Sequence, residues 1–119
     1  MPGKLTTHVL DTASGKPASH MRVQLFWVET DGSPDVLIRA TVTNGDGRTE
    51  GAMIEGDRFS AGTYKLVFHV GDYFEAKRHP DARKFLGVVP ICFTIDDAVQ
   101  NYHVPLLVSP WAYSTYRGS

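Results

Sequence analysis

Apolar side chains recur at every second position along much of this chain, and clusters of glycine, proline, asparagine and aspartate cut the alternating stretches apart. A period of two belongs to a strand with one buried face, because successive side chains leave an extended backbone on opposite sides. Met21, Val23, Leu25 and Trp27 alternate with Arg22 and Gln24; Tyr64, Leu66, Phe68 and Val70 alternate with Lys65, Val67 and His69. Val89, Ile91, Phe93 and Ile95 form a further inward set, and Tyr102, Val104, Leu106 and Val108 share a face opposite His103, Pro105 and Leu107. Leu5 to Leu10, rich in β-branched residues, reads as a first strand that ends in the turn formers Asp11 to Pro17. Val36, Ile38, Ala40 and Val42 supply the inward face of a third strand, a short strand is expected around Ala52 to Ile54, and Ala112 to Arg117 gives the last. Seven or eight strands with turn signals spaced in this way predict an all-β fold, an antiparallel β-sandwich or barrel. One helix is expected, over Tyr73 to His79, with Asp72 as its N-cap and Pro80 closing it.

At 119 residues the chain predicts a single domain, 1–119, large enough to bury a core without disulfide staples. A formal charge of −1 gives no electrostatic reason to expect nucleic acid or an anionic membrane as partner. No apolar run approaches the length of a membrane span, and because Met1-Pro2-Gly3-Lys4 leads straight into a strand-like pattern, no signal peptide is expected. The lone Cys92 excludes an intrachain disulfide and a cysteine-rich metal site; it reads as a small buried hydrophobe in a strand. A cytoplasmic location is the expectation from these absences.

Five histidines are the main source of chemistry. His20 and His79 fall in a loop and at a helix end, where solvent is the ordinary environment, and His69 alternates outward on a strand as a surface or interface group. His8 and His103 differ, since each lies mid-strand among apolar neighbours on the face opposite the core. Thr43-Asn44-Gly45-Asp46-Gly47-Arg48 predicts a tight loop that presents Arg48 at its end, because Asn-Gly and Asp-Gly tolerate positive φ. Two imidazoles beside a guanidinium can combine a neutral base with a clamp for a developing oxyanion, an arrangement suited to attack of water on an activated carbonyl. There is no Gly-x-Ser-x-Gly elbow for a serine nucleophile, and no His-x-His or Cys-x-x-Cys spacing for a metal.

Three segments carry a resemblance: Leu5-Thr6-Thr7-His8-Val9-Leu10-Asp11-Thr12 continuing through Gly15-Lys16-Pro17-Ala18; Thr43 to Arg48; and Tyr102 to Pro110 with the ending Tyr113-Ser114-Thr115-Tyr116-Arg117-Gly118-Ser119. Together they resemble the transthyretin-like family, and within it the enzyme branch, the 5-hydroxyisourate hydrolases. The Tyr-Arg-Gly-Ser ending is the specific part, for the hormone-binding transthyretins resemble the fold without it. The resemblance implies an eight-stranded two-sheet antiparallel sandwich with one short helix. It also implies a homotetramer, a dimer of dimers, with active sites where the two dimers meet. The family's two histidines fall on His8 and His103, its arginine on Arg48, and its terminal tetrapeptide on Tyr116, Arg117, Gly118 and Ser119.

The substrate so implied is 5-hydroxyisourate, opened by water to 2-oxo-4-hydroxy-4-carboxy-5-ureidoimidazoline without cofactor or metal. On this reading His8 and His103 position and deprotonate the water, with the choice of base left open. Arg48 holds the anionic edge and the oxyanion, while Tyr116, Arg117 and Gly118 bind substrate. Ser119 acts through its hydroxyl or its terminal carboxylate. Alternation supports an assembly independently, since an outward Leu107 beside Pro105 suits an intersubunit face better than solvent. The rival expectation is a transthyretin-type binding protein that holds an aromatic ligand without turning it over.

Overall fold

A computed structural model describes residues 2–118. Nine strands and one helix follow in the order β1 (Lys4–Asp11), β2 (Lys16–Pro17), β3 (Arg22–Trp27), β4 (Val36–Val42), β5 (Ile54–Glu55), β6 (Gly62–Phe68), α1 (Val70–Ala76), β7 (Val89–Ile95), β8 (Tyr102–Val108) and β9 (Tyr113–Thr115). One sheet has the order β2-β1-β8-β9, with β5 also on β1; the other has the order β4-β3-β6-β7. Their inner faces meet over Leu5, Val9, Val23, Leu25, Leu66, Phe68 and Leu106, all fully buried, and the outward members of the same strands, Pro105 apart, are half-buried or exposed. The two-residue period thus becomes a sandwich core.

One pairing departs from the antiparallel expectation. β1 and β8 run parallel over seven residue pairs, from Leu5 opposite Tyr102 to Asp11 opposite Val108, whereas the other strand pairings are antiparallel. Alternation fixes which face of a strand is buried and says nothing of its direction, so the parallel seam was invisible in the pattern.

The far side of β1 is covered in three pieces. β5 pairs with its start at Lys4 and Leu5, and β2 pairs with its end at Leu10 and Asp11. Between them the turn at 44–48 docks sideways: Val9 N–H donates to Gly47 O at 2.9 Å, and His8 bridges to Arg48. Gly47 sits at φ 75°, and a Cβ there would lie 2.4 Å from the Val9 carbonyl oxygen, so only glycine permits this approach. Asn44 closes the turn, its side-chain oxygen accepting from the N–H groups of Asp46 and Arg48.

Four local expectations are corrected. On β4, Val36, Ala40 and Val42 are exposed and only Ile38 packs against the core. The register with β3 skips Ile38, with Leu25 opposite Arg39 and Phe26 opposite Leu37; this bulge breaks the alternation on an edge strand. Arg39 takes the vacated inward position and donates to the carbonyls of Ala52 and Glu50. The helix starts at Val70, with His69 as N-cap and Asp72 inside the first turn. Val70, Tyr73 and Phe74 are buried at helical spacing, so the apolar stripe sets its position rather than the carboxylate. Cys92 is exposed, because it lies on the outer face of β7 between Ile91 and Phe93. Pro105 is buried within the chain itself rather than left for a partner.

β9 is also shorter than Ala112 to Arg117, for a reason carried by one residue. The β8–β9 register pairs Leu106 with Thr115, and the same register resumes at the bridge of His103 with Gly118. Pro105 lies between, without an N–H to give, so the ladder lapses and then recovers.

Tyr73 ties α1 to the sandwich. Its hydroxyl donates to Asp11 Oδ2 at 2.9 Å, while Oδ1 accepts from Ala13 and Ser14 N–H. Burial, then the bond to Asp11, pushes the phenol above its ordinary range, so it remains a donor. Tyr73→Phe leaves one oxygen of the 4 %-exposed Asp11 unpaired and costs about 1–3 kcal/mol, measured as a lower urea midpoint with an unchanged slope.

Candidate active site

The parallel seam places Thr6 directly opposite His103, and His8 opposite Pro105. Thr6 and His8 lie on the outer face of β1, and His103 on the outer face of β8; all three are half-buried. The imidazole centroids of His8 and His103 are 6.4 Å apart with their planes tilted by 37°. The 44–48 turn adds Arg48, exposed, beside His8. One cleft of about 390 Å³ is lined by Lys4, Thr6, Arg48, Asn101, Tyr102 and His103. A larger cavity of about 570 Å³ lies elsewhere, between α1 and the Asp11–Pro17 turn, and includes neither His8, Arg48 nor His103.

Each imidazole is anchored at one nitrogen. His8 Nε2 is 2.9 Å from the Asp46 carbonyl oxygen, which can only accept, so Nε2 carries a proton and donates. His103 Nδ1 is 2.8 Å from Thr6 Oγ1. Burial, then the Arg48 and His8 charges, lowers the His103 pKa below its ordinary value of 6.5, so the ring is neutral at pH 7. Neither Thr6 nor the Asp46 carbonyl stood out in the sequence. Thr6 had only its place two residues before His8 on the same strand face to mark it, and a backbone carbonyl leaves no residue-type signal.

The tail closes the other side of His103. Gly118 N–H donates to the His103 carbonyl at 2.6 Å, and a Cβ on Gly118 would meet the imidazole Cδ2 at 2.8 Å. Arg117 turns away from the cleft, its guanidinium 4.0 Å over the Tyr102 ring and bonded to Gln100 Oε1 and Asn101 O. Tyr116 is exposed and lines, with Arg117, a groove beside β7. Thus His8, Arg48, His103 and Gly118 come together, while the side chains of Tyr116 and Arg117 lie to one side. Ser119 lies outside the described residues. Among the described residues no group of three or more His, Cys, Asp or Glu side chains is placed to hold a metal ion.

A two-sheet sandwich with a parallel β1–β8 seam thus carries two histidines beside an arginine on its outer face. The model of the HIUase/Transthyretin family matches residues 5–118, and the chain belongs to that family. It is 54% identical over 119 residues to 5-hydroxyisourate hydrolase 2 of Rhizobium meliloti, covering 98% of this chain and 97% of that one. The solved structure of an (S)-allantoin synthase superposes with a TM-score of 0.91 at 45% identity, over 99% of this chain but only 44% of that longer one. Sea bream transthyretin in complex with thyroxine superposes with a TM-score of 0.86 at 25% identity, over 97% of this chain and 94% of that one.

Gly118→Ala tests how tightly the tail is fitted. Because the ring is held at Nδ1, the added methyl forces the tail away, and the Gly118 amide loses its hydrogen-exchange protection while core amides keep theirs. Unchanged protection at residue 118 would contradict this fit.

Proposed function

We propose that this chain hydrolyses 5-hydroxyisourate, opening its six-membered ring to 2-oxo-4-hydroxy-4-carboxy-5-ureidoimidazoline. The observation that carries the reading is the convergence of His8, His103 and Arg48 on one outer face, in a chain 54% identical to a 5-hydroxyisourate hydrolase. The thyroxine-bound transthyretin shares the fold at lower identity. A carrier for an aromatic ligand has no use for two imidazoles and a guanidinium held together, so the catalytic reading is the better one.

In this mechanism a water beside His103 attacks a ring carbonyl and gives its proton to His103, neutral at pH 7 and therefore able to accept it. His8, with Nε2 donating to Asp46, offers its remaining nitrogen to orient the water. Arg48 holds the substrate's carbonyl edge and the tetrahedral oxyanion, a task suited to its planar fork. Collapse of the intermediate breaks the ring C–N bond, and the departing nitrogen takes the proton from His103. Gly118 supplies close backbone packing at the ring, Arg117 braces Tyr102 and Asn101 of the cleft wall, and Ser119 takes part in the reaction. No cofactor enters the reaction.

The assembly that fits this site is a homotetramer, a dimer of dimers, with the outer face of β1 and β8 turned towards a partner. Leu107 on that face, and exposed Trp111, Tyr113 and Tyr116 next to it, leave apolar surface that association would cover. A reducing, cytoplasmic compartment suits the exposed free thiol of Cys92.

The reaction is tested by generating 5-hydroxyisourate from urate with urate oxidase and following its ultraviolet decay. The decay accelerates with the protein present; an unchanged rate would leave the carrier reading. His103→Ala lowers kcat by about 10²–10⁴ with the oligomer intact by light scattering. A base must be uncharged, so kcat falls as pH drops through the His103 pKa, and the acid limb lies below 6.5. An acid limb at or above that value would remove His103 as the base. Deleting Arg117 to Ser119 impairs turnover as well, and a normal rate would reduce the tail to a structural part.

A further inference from the structure

The contact between Thr6 and His103 has two chemical versions. A hydroxyl both donates and accepts, so the 2.8 Å separation of Oγ1 and Nδ1 fits either direction of the bond. If Thr6 donates to Nδ1, the single proton of a neutral His103 sits on Nε2, and the ring shows the cleft an N–H. If Nδ1–H donates to Thr6, Nε2 is bare and presents a lone pair.

Only the second version provides a base, and the backbone enforces the contact. Thr6 and His103 are partners in the parallel register, so their separation does not depend on a flexible side chain reaching out. Gly118 packs against the imidazole on Cδ2, and the Thr6 side chain itself lines the cleft with Arg48 and His103.

We propose that Thr6 is a positioning residue whose hydroxyl oxygen accepts the Nδ1–H of His103, fixing the tautomer that turns a bare Nε2 to the cleft. The proposal rests on the reading of His103 as base given above. It also assigns the remaining Thr6 O–H a use: with its oxygen occupied as an acceptor, that proton is free to donate to an oxygen in the cleft. An imidazole without such a partner distributes its proton over both nitrogens and loses its fixed plane, so the active fraction and its alignment fall together.

The test is long-range ¹H–¹⁵N correlation of the histidine rings in the intact, uniformly labelled protein without substrate, with His103 assigned by its absence in His103→Ala. Wild type and Thr6→Ser show His103 as the Nδ1–H tautomer, and Thr6→Val moves it towards Nε2–H. In the hydrolysis assay Thr6→Val lowers kcat about ten- to a hundredfold with KM within about twofold, and Thr6→Ser restores most of the rate. An Nε2–H tautomer in wild type overturns the proposal whether or not Thr6→Val folds. So does a Thr6→Val protein with wild-type tautomer and kcat. Because the tautomer is read without turnover, an active His103→Ala would defeat the base assignment alone and leave the tautomer result standing.

Discussion

The parallel seam between β1 and β8 is the pairing on which the site depends. It brings together segments about a hundred residues apart in the chain, and its register sets Thr6 against His103 and His8 two residues further along. Inward, the same two strands contribute Leu5, Val9 and Leu106 to the core. A slip of β1 by one residue would turn Leu5 and Val9 outward and bury His8 in apolar surroundings, away from His103. The outer face that carries the two histidines is therefore held in place by the burial of the opposite face, and the energy that fixes it is largely the hydrophobic energy of the sandwich.

Around that seam, backbone constraints place the remaining parts. Gly47 lets the 44–48 turn lie against Val9, which sets Arg48 beside His8. Pro105 interrupts the β8–β9 ladder, and Gly118 restores it at His103 without a side chain to displace the imidazole. The electrostatic result is a histidine that stays neutral although it is polar and near solvent, because burial first, and then the neighbouring Arg48 and His8 side chains, oppose its protonation. A transthyretin-type sandwich thereby carries a neutral imidazole and a guanidinium together on one surface.

Much of this was legible in the residues. Alternation marked the strand faces of β3, β6, β7 and β8, and it singled out His8 and His103 as polar groups on outer faces. The double glycine turn pointed to Arg48. It failed where a backbone irregularity intervened: the bulge at Ile38 reversed the exposure of Ala40 and Val42, and the apolar stripe Val70, Tyr73, Phe74 moved the helix start ahead of Asp72.

What the sequence determined by itself was which side chains face the core and which residue types stand ready for chemistry, because both follow from local period and composition. Strand direction, the pairing of β1 with β8, the partners Thr6 and Asp46, and the turn of Arg117 away from the cleft were decided by tertiary structure alone. These are contacts between segments far apart in the chain. A residue's identity does not say which distant backbone will lie beside it; burial of the whole sandwich does.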